Sequence, residues 1–267
     1  MKPDFWTLGR LGGHGGGAEQ KTQSQKRHRL TRSDGRHSIA GMGHGRFGVV
    51  LVMILAASGI PAWSQSGVTV TGNLTILDKG GKRATDLANA VVWLEGAGGP
   101  AGRVVESEIN THNKQFLPRV LAVTTGSTVA FPNHDPFDHN VFSQSEEAVF
   151  DLGLFGRGQS RSTRFPRAGI VRVYCNVHAA MSAYVIVLDG PHFTQPASDG
   201  SFSFTGVTPG TYTVHVWHER GGHQVLDLEV EPGGTLDVAM RLDASGWKPQ
   251  RHLNKFGKPY AAEGRRY

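Results

Sequence analysis

From Gly67 onward the chain is a series of short runs, alternating or β-branched, cut by Gly, Pro, Asp and Asn. Val68-Thr69-Val70-Thr71, Ala90-Val91-Val92-Trp93-Leu94 and Val171-Arg172-Val173-Tyr174 are of this kind, and such runs predict strands. Further strands are expected at 119–123, 128–131, 184–188, 201–204, 212–217, 225–230 and 236–242. No stretch beyond residue 67 sustains a 3.6-residue apolar period. The expected class is therefore all-β, built of sandwiches with little helix.

Ahead of these runs, residues 47–57 form an apolar stretch, followed by Ser58, Gly59, Pro61 and the small-residue site Ala62-Trp63-Ser64. A membrane span needs about 20 apolar residues, and this run is far shorter. Residues 1–64 therefore read as leader and secretory signal peptide, with no stable membrane span after cleavage and a periplasmic or secreted product. Residues 1–41 are long and rich in Gly, Arg and His for a signal, whereas a start at Met42 gives the ordinary pattern. A mature N-terminus upstream of Met42 would exclude that start.

Charge changes the picture little. The chain carries 28 Lys and Arg against 22 Asp and Glu, formally +6. Residues 1–64 hold nine of the basic and three of the acidic residues, so the exported part is formally neutral. The basic balance is thus no argument for nucleic acid. Residues 244–267, where six Lys and Arg accompany Glu263, are expected to be a basic tail, extended or disordered.

The chain has a single cysteine, which cannot form an internal disulfide. It stands in Tyr174-Cys175-Asn176-Val177-His178-Ala179-Ala180-Met181, where thiol, imidazole and thioether fall close together. A thiolate with two imidazoles and a long axial methionine is the donor set of an electron-transfer copper site. One more histidine is then required. His134 and His139 both lie in a turn rich in Pro, Asp and Asn at 131–143, and a strand directly follows only His139. Zinc fits less well, because its structural sites need several Cys or His. A binuclear copper centre would need a second cysteine, and a Cys-His hydrolase pair on so tight a loop offers no oxyanion hole. His192, His215, His218 and His223 are expected at the surface, with His218, beside Trp217, the one to test for contact with the copper domain.

At these residues the chain resembles the cupredoxins, the superfamily of plastocyanin, pseudoazurin and amicyanin. The likeness runs over roughly 106–189, within a domain placed at 103–189. Thr125-Gly126-Ser127-Thr128-Val129-Ala130-Phe131-Pro132-Asn133 resembles the family's Gly-x-x-Val-x-Phe/Trp-x-Asn strand, and residues 165–175 resemble the strand leading into its cysteine. The Cys-x-x-His-x-x-Met spacing is the short form seen in amicyanin, without the prolines often found there. The resemblance implies one type 1 copper ion held by His139, Cys175, His178 and Met181. It also implies that Asn140 ties the two ligand loops together by hydrogen bonding, that Asn176 supports the site beside it, and that His178 lies at an exposed apolar end where a partner docks.

A second resemblance covers Asp199-Gly200-Ser201-Phe202-Ser203-Phe204 and Pro209-Gly210-Thr211-Tyr212-Thr213-Val214, which look like carboxypeptidase-regulatory-like or transthyretin-like β-sandwich modules. Such modules begin with two strands ending in an Ala-x-Val-x-Leu run. Nothing between 189 and 200 supplies them, whereas residues 67–98 do. The expected arrangement is an insertion, with 67–98 and 190–243 forming one sandwich around 103–189. A simple tandem is the alternative, and pairing between 90–94 and 201–242 distinguishes the two.

Together these readings imply a one-electron carrier, not an enzyme, whose partner is a redox protein such as a cytochrome or a dehydrogenase. The domain pairing also resembles methylamine-utilisation proteins, although no residue here shows amine chemistry. The alternative is an envelope protein that binds carbohydrate or another partner around a structural copper site, or one that stores or delivers copper.

Overall fold

The computed structural model describes residues 67–96 and 101–260. The expected leader and signal at 1–64, and the end of the tail at 261–267, lie outside the described residues. Among those described, no helix is long and apolar enough to cross a membrane. Helix is confined there to two single 3-10 turns, Lys79–Gly81 and Leu87–Asn89.

The strands are β1 (Val68–Leu77), β2 (Val91–Gly96), β3 (Glu106–Glu108), β4 (Asn110–His112), β5 (Gln115–Leu117), β6 (Val120–Thr124), β7 (Thr128–Pro132), β8 (His139–Ser145) and β9 (Ala148–Phe155). Then follow β10 (Ser160–Arg164), β11 (Gly169–Tyr174), β12 (Ser182–Leu188), β13 (Phe193–Thr194), β14 (Ser201–Val207), β15 (Gly210–His218), β16 (Gly222–Val230) and β17 (Thr235–Asp243). The fold is all-β.

One sandwich pairs the sheet β14-β1-β17 with the sheet β13-β2-β15-β16. Val70, Leu74 and Ile76 of β1 point inward every second residue and meet Val92 and Leu94 of β2 with Val214 and Val216 of β15. β1 lies between antiparallel β14 and parallel β17, and β2 runs antiparallel to β15 from Gly96↔Tyr212 to Val91↔Trp217. Residues before 97 thus share both sheets with residues after 192. The other sandwich sets the sheet β6-β12-β11-β8-β9 against β10-β7-β3, with the hairpin β4-β5 beside them. Its core includes Phe131, Phe165, Val171, Val173 and Val185, together with Cys175 and Met181.

A third apolar layer joins the two. Val91 and Trp93 of β2 and Trp217 of β15 pack against Val120, Ile186 and Leu188 of β6 and β12. Strands β2 and β12 are therefore buried on both faces, which is why their sequences are apolar without alternation. At the margin of this layer the Arg119 guanidinium donates two hydrogen bonds of 2.8 Å to the Glu219 carboxylate, which also accepts the Tyr184 hydroxyl at 3.1 Å.

The layer also corrects the expectation for the histidines. His215 and His218 are buried, not surface groups. His215 stacks on Trp93 with ring centroids 4.8 Å apart and lies 3.0 Å from His223, while His218 lies 3.4 Å from Asp86. The contact with the other sandwich comes from Trp217, whose ring is 5.0 Å from Tyr184. Alternation along β15 sets the faces, so a residue next to Trp217 cannot share its partner.

Burial raises the Asp86 pKa, but hydrogen bonds from Arg220 and the charges of His218 and Arg220 outweigh it and hold the carboxyl below its ordinary value. Because the folded pKa is the lower one, this stabilisation is present above the unfolded pKa and is lost as pH falls through the folded one. Acid unfolding below about pH 4 is therefore expected to be less steep in Asp86→Asn, measured as unfolding free energy against pH. Identical slopes for the two proteins would contradict it.

Candidate metal centre

The turn before β8 is built by two side chains. Asn133 is fully buried; its Oδ1 accepts the Asp135 N–H at 2.9 Å and its Nδ2 donates to the Phe137 and Phe155 carbonyls. The Asp135 carboxylate accepts the N–H groups of Asn113 and Lys114 at 2.7 and 2.9 Å. Those two residues take positive φ at the β4-β5 turn, which aims two successive amides at one carboxylate. Its Oδ2, the oxygen that accepts the Lys114 N–H, is also 2.8 Å from His139 Nε2. With Nε2 occupied, Nδ1 is the nitrogen turned toward the cysteine.

Cys175 ends β11 and opens a closed loop. Its N–H donates to the Met181 carbonyl at 3.2 Å, and the Met181 N–H donates to the His178 carbonyl at 3.0 Å. Within that loop the Val177 N–H donates to Cys175 Sγ at 3.4 Å. His139 Nδ1 and His178 Nδ1 each stand 3.8 Å from Sγ. The donor atoms of His139, Cys175 and His178 all lie within 4.8 Å of one another. Met181 is buried in the same apolar cluster as Cys175. His178 is half-buried, its ring 5.4 Å from that of Phe137, and the preceding residue Val177 is exposed.

This donor set fits copper. Metal bonds of about 2.0 Å to nitrogen and 2.3 Å to sulfur, spread trigonally, place N and S about 3.7 Å apart, close to the separations found. Burial pushes the Cys175 thiol pKa up, but hydrogen bonds from His139 and the N–H groups of Asn140, Val177 and His178 outweigh it and favour the thiolate. Burial likewise lowers the His139 pKa, and Cys175 and Asp135 beside it reverse the direction.

His134 stands apart from the cluster, exposed, with Nε2 2.8 Å from Asn110 Oδ1. Asn140 does not bridge the ligand loops through its side chain: Nδ2 donates to Asp151 at 2.7 Å, and Oδ1 is buried without a hydrogen-bond partner. Its backbone N–H, not its amide, faces the cysteine sulfur. Asn176 points the other way and accepts the Lys255 N–H at 3.0 Å. Asp135 escaped sequence reasoning, although an acid four residues before a histidine in a tight turn was the available signal. Because an outer carboxylate fixes ring orientation and donor strength, Asp135→Asn is expected to weaken copper binding by about 10- to 100-fold. Competition with a chelator measures this, and an unchanged affinity would count against the role of the carboxylate.

Residues 103–188 match the family of copper-binding proteins, plastocyanin/azurin family. Comparison with curated proteins returns no match. Among solved structures, a purple cupredoxin from Nitrosopumilus maritimus is 24% identical, taking in 30% of this chain and 98% of its own, with a TM-score of 0.28. An amicyanin variant in the Cu(I) form is 21% identical over 37% of this chain and 98% of its own, with a TM-score of 0.29. A copper-containing nitrite reductase from Thermus scotoductus is 22% identical with a TM-score of 0.31; the match takes in 36% of this chain and only 25% of the reductase. The sandwich that carries the three converging donors is a copper-binding domain of the cupredoxin type.

Proposed function

We propose that the protein is an exported one-electron carrier, not an enzyme, with one type 1 copper held by His139, Cys175, His178 and Met181. The observation that carries this reading is the buried Cys175 sulfur with an imidazole nitrogen of each histidine at 3.8 Å. A copper ion held there supplies one-electron chemistry between Cu(II) and Cu(I). The chain's own residues do the rest. Asp135 orients His139 through Nε2, the Val177 N–H supports the sulfur, and the buried surroundings of Cys175 keep water away. His178 is the donor nearest solvent, and its rim includes Val177 at 47% and Phe137 at 36% exposure. An apolar rim over a half-buried imidazole suits docking of a redox protein such as a cytochrome or dehydrogenase. The apolar stretch at 47–57 with its small-residue site supports a periplasmic location.

The second sandwich is read as a carboxypeptidase-regulatory-like module of 67–98 and 190–243, interrupted by the copper domain. Support for this comes from the β2-β15 ladder and from the place of β1 between β14 and β17. Its packing through Trp93 and Trp217 suits a scaffold that fixes the copper domain in one orientation.

Copper(II) added to the purified protein is expected to give an intense visible absorption that bleaches on reduction and returns on reoxidation. A protein that stays colourless with stoichiometric copper sinks the reading.

A further inference from the structure

The basic tail, expected to be extended or disordered, is irregular in backbone yet seated on the ligand loop. Beyond β17 the chain returns to the copper sandwich and makes a turn of its own: the Asn254 side chain accepts the N–H groups of Phe256 and Lys258, and its backbone N–H donates to the Lys258 carbonyl. Gly257 sits in this turn at a φ of 71°, a conformation that glycine adopts without a Cβ penalty. A built turn of this kind holds the flanking residues in fixed directions.

Those residues reach both ligand-bearing segments. On the cysteine side, the His252 ring stacks on Tyr174 at 4.0 Å, the Tyr260 hydroxyl donates to the Cys175 carbonyl at 2.7 Å, and the Lys255 N–H donates to Asn176. On the His139 side, Gln144 of β8 donates to the Lys255 carbonyl at 2.9 Å. Lys255 Nζ also pairs with Asp151 at 2.6 Å, and this carboxylate holds Asn140, the residue next to His139. Meanwhile β8 and β11, which carry His139 and lead into Cys175, share a single ladder pair, Tyr174↔Phe142. The tail thus makes its bonds where the sheet between the two ligand segments is least zipped.

We propose that residues 247–260 are a strap that positions the copper ligands, with Tyr260, Lys255 and His252 as its positioning residues. The strap takes the bridging part that the Asn140 side chain does not play. This rests on the copper reading above, and it adds that the strap holds Cys175 and His139 in register before metal arrives.

The test uses full-length protein carrying Tyr260→Phe, Lys255→Ala or His252→Ala, and the three combined, with Lys255→Arg as the conservative rescue. Without metal, the rate at which a thiol reagent modifies Cys175, the only thiol and fully buried, is expected to rise several-fold in the combined variant while far-UV circular dichroism is unchanged. With copper, its release to a chelator is expected to quicken by about 10-fold or more, in the range of outer-partner losses. The visible band should shift in position or relative intensity, and where Lys255→Ala alone alters release or band, Lys255→Arg should keep both at the parent values. If the combined variant matches the parent in thiol reactivity, chelator release and spectrum, the strap has no positioning role. Should the triple change unfold the chain, Tyr260→Phe, which keeps the ring and removes only the hydroxyl with its contacts to the Cys175 carbonyl and His252 Nδ1, decides by the same readouts. A parent protein that binds no copper would sink the functional reading alone, because the metal-free thiol measurement still judges the strap.

Discussion

Replacing Cys175 with serine is expected to abolish the visible absorption outright and to reduce copper affinity by more than the roughly 100-fold that loss of an outer partner causes. The reason lies in donor chemistry. A thiolate gives copper a soft, polarisable ligand, and a hydroxyl of similar size does not. The fold should survive, because the serine oxygen would sit among the same partners, His139 and the Val177 N–H, and so would not be left unsatisfied. A net stability change of about 1–2 kcal/mol is the most that this exchange should bring. A serine variant that keeps the full band would place the chromophore elsewhere and remove the basis of the assignment.

Trp217→Ala should act in the opposite way, costing stability and sparing the spectrum. Trp217 is 7% exposed and fills the layer between the sandwiches, against Tyr184 and beside Ile186 and Leu188. Truncating a buried tryptophan loses apolar burial and leaves a cavity, together about 3–5 kcal/mol. Chemical denaturation should show a lower midpoint, and the copper band should stay where it was. A loss below about 1 kcal/mol would mean that the sandwiches hold their arrangement without this layer, since a filled interface cannot be emptied so cheaply. The Arg119–Glu219 pair is partly exposed and contributes less, for screening weakens it.

Much of the fold was legible in the chain because strands announce themselves locally. The runs at 68–71, 171–174, 212–217 and 236–242 all fall inside strands. Most of those that went unseen carry little local signal, although β9, largely apolar over Ala148–Phe155, was missed as well. Ser160-Arg161-Ser162-Thr163-Arg164 contains no apolar residue, and it is a strand only because the β7 ladder runs along it from Pro132 to Thr128. The three-residue strands β3, β4 and β5 are too short for any periodicity to register.

The site divides along the same line. Cys175, His178 and Met181 fall within one short loop, so their donor chemistry could be read without knowing where the loop sits. His139 was reachable because a polar turn hands directly to a strand there. Asp135 was not, because its meaning depends on amides at 113 and 114 that reach it only through the β4-β5 turn. The tail looked disordered for the same reason. Its composition is polar and basic, and what orders it is a set of bonds to Tyr174, Cys175, Asn176 and Gln144, more than 75 residues away in the chain.

Residue order along the backbone thus settled the kinds of atom available to a metal and the strands that would carry them, since both are properties of short segments. Which histidine nitrogen faces the sulfur, what braces it, and which segments share a sheet were decided by the tertiary structure. Those outcomes depend on register and on side-chain direction, and each is set by partners that arrive from far away along the chain.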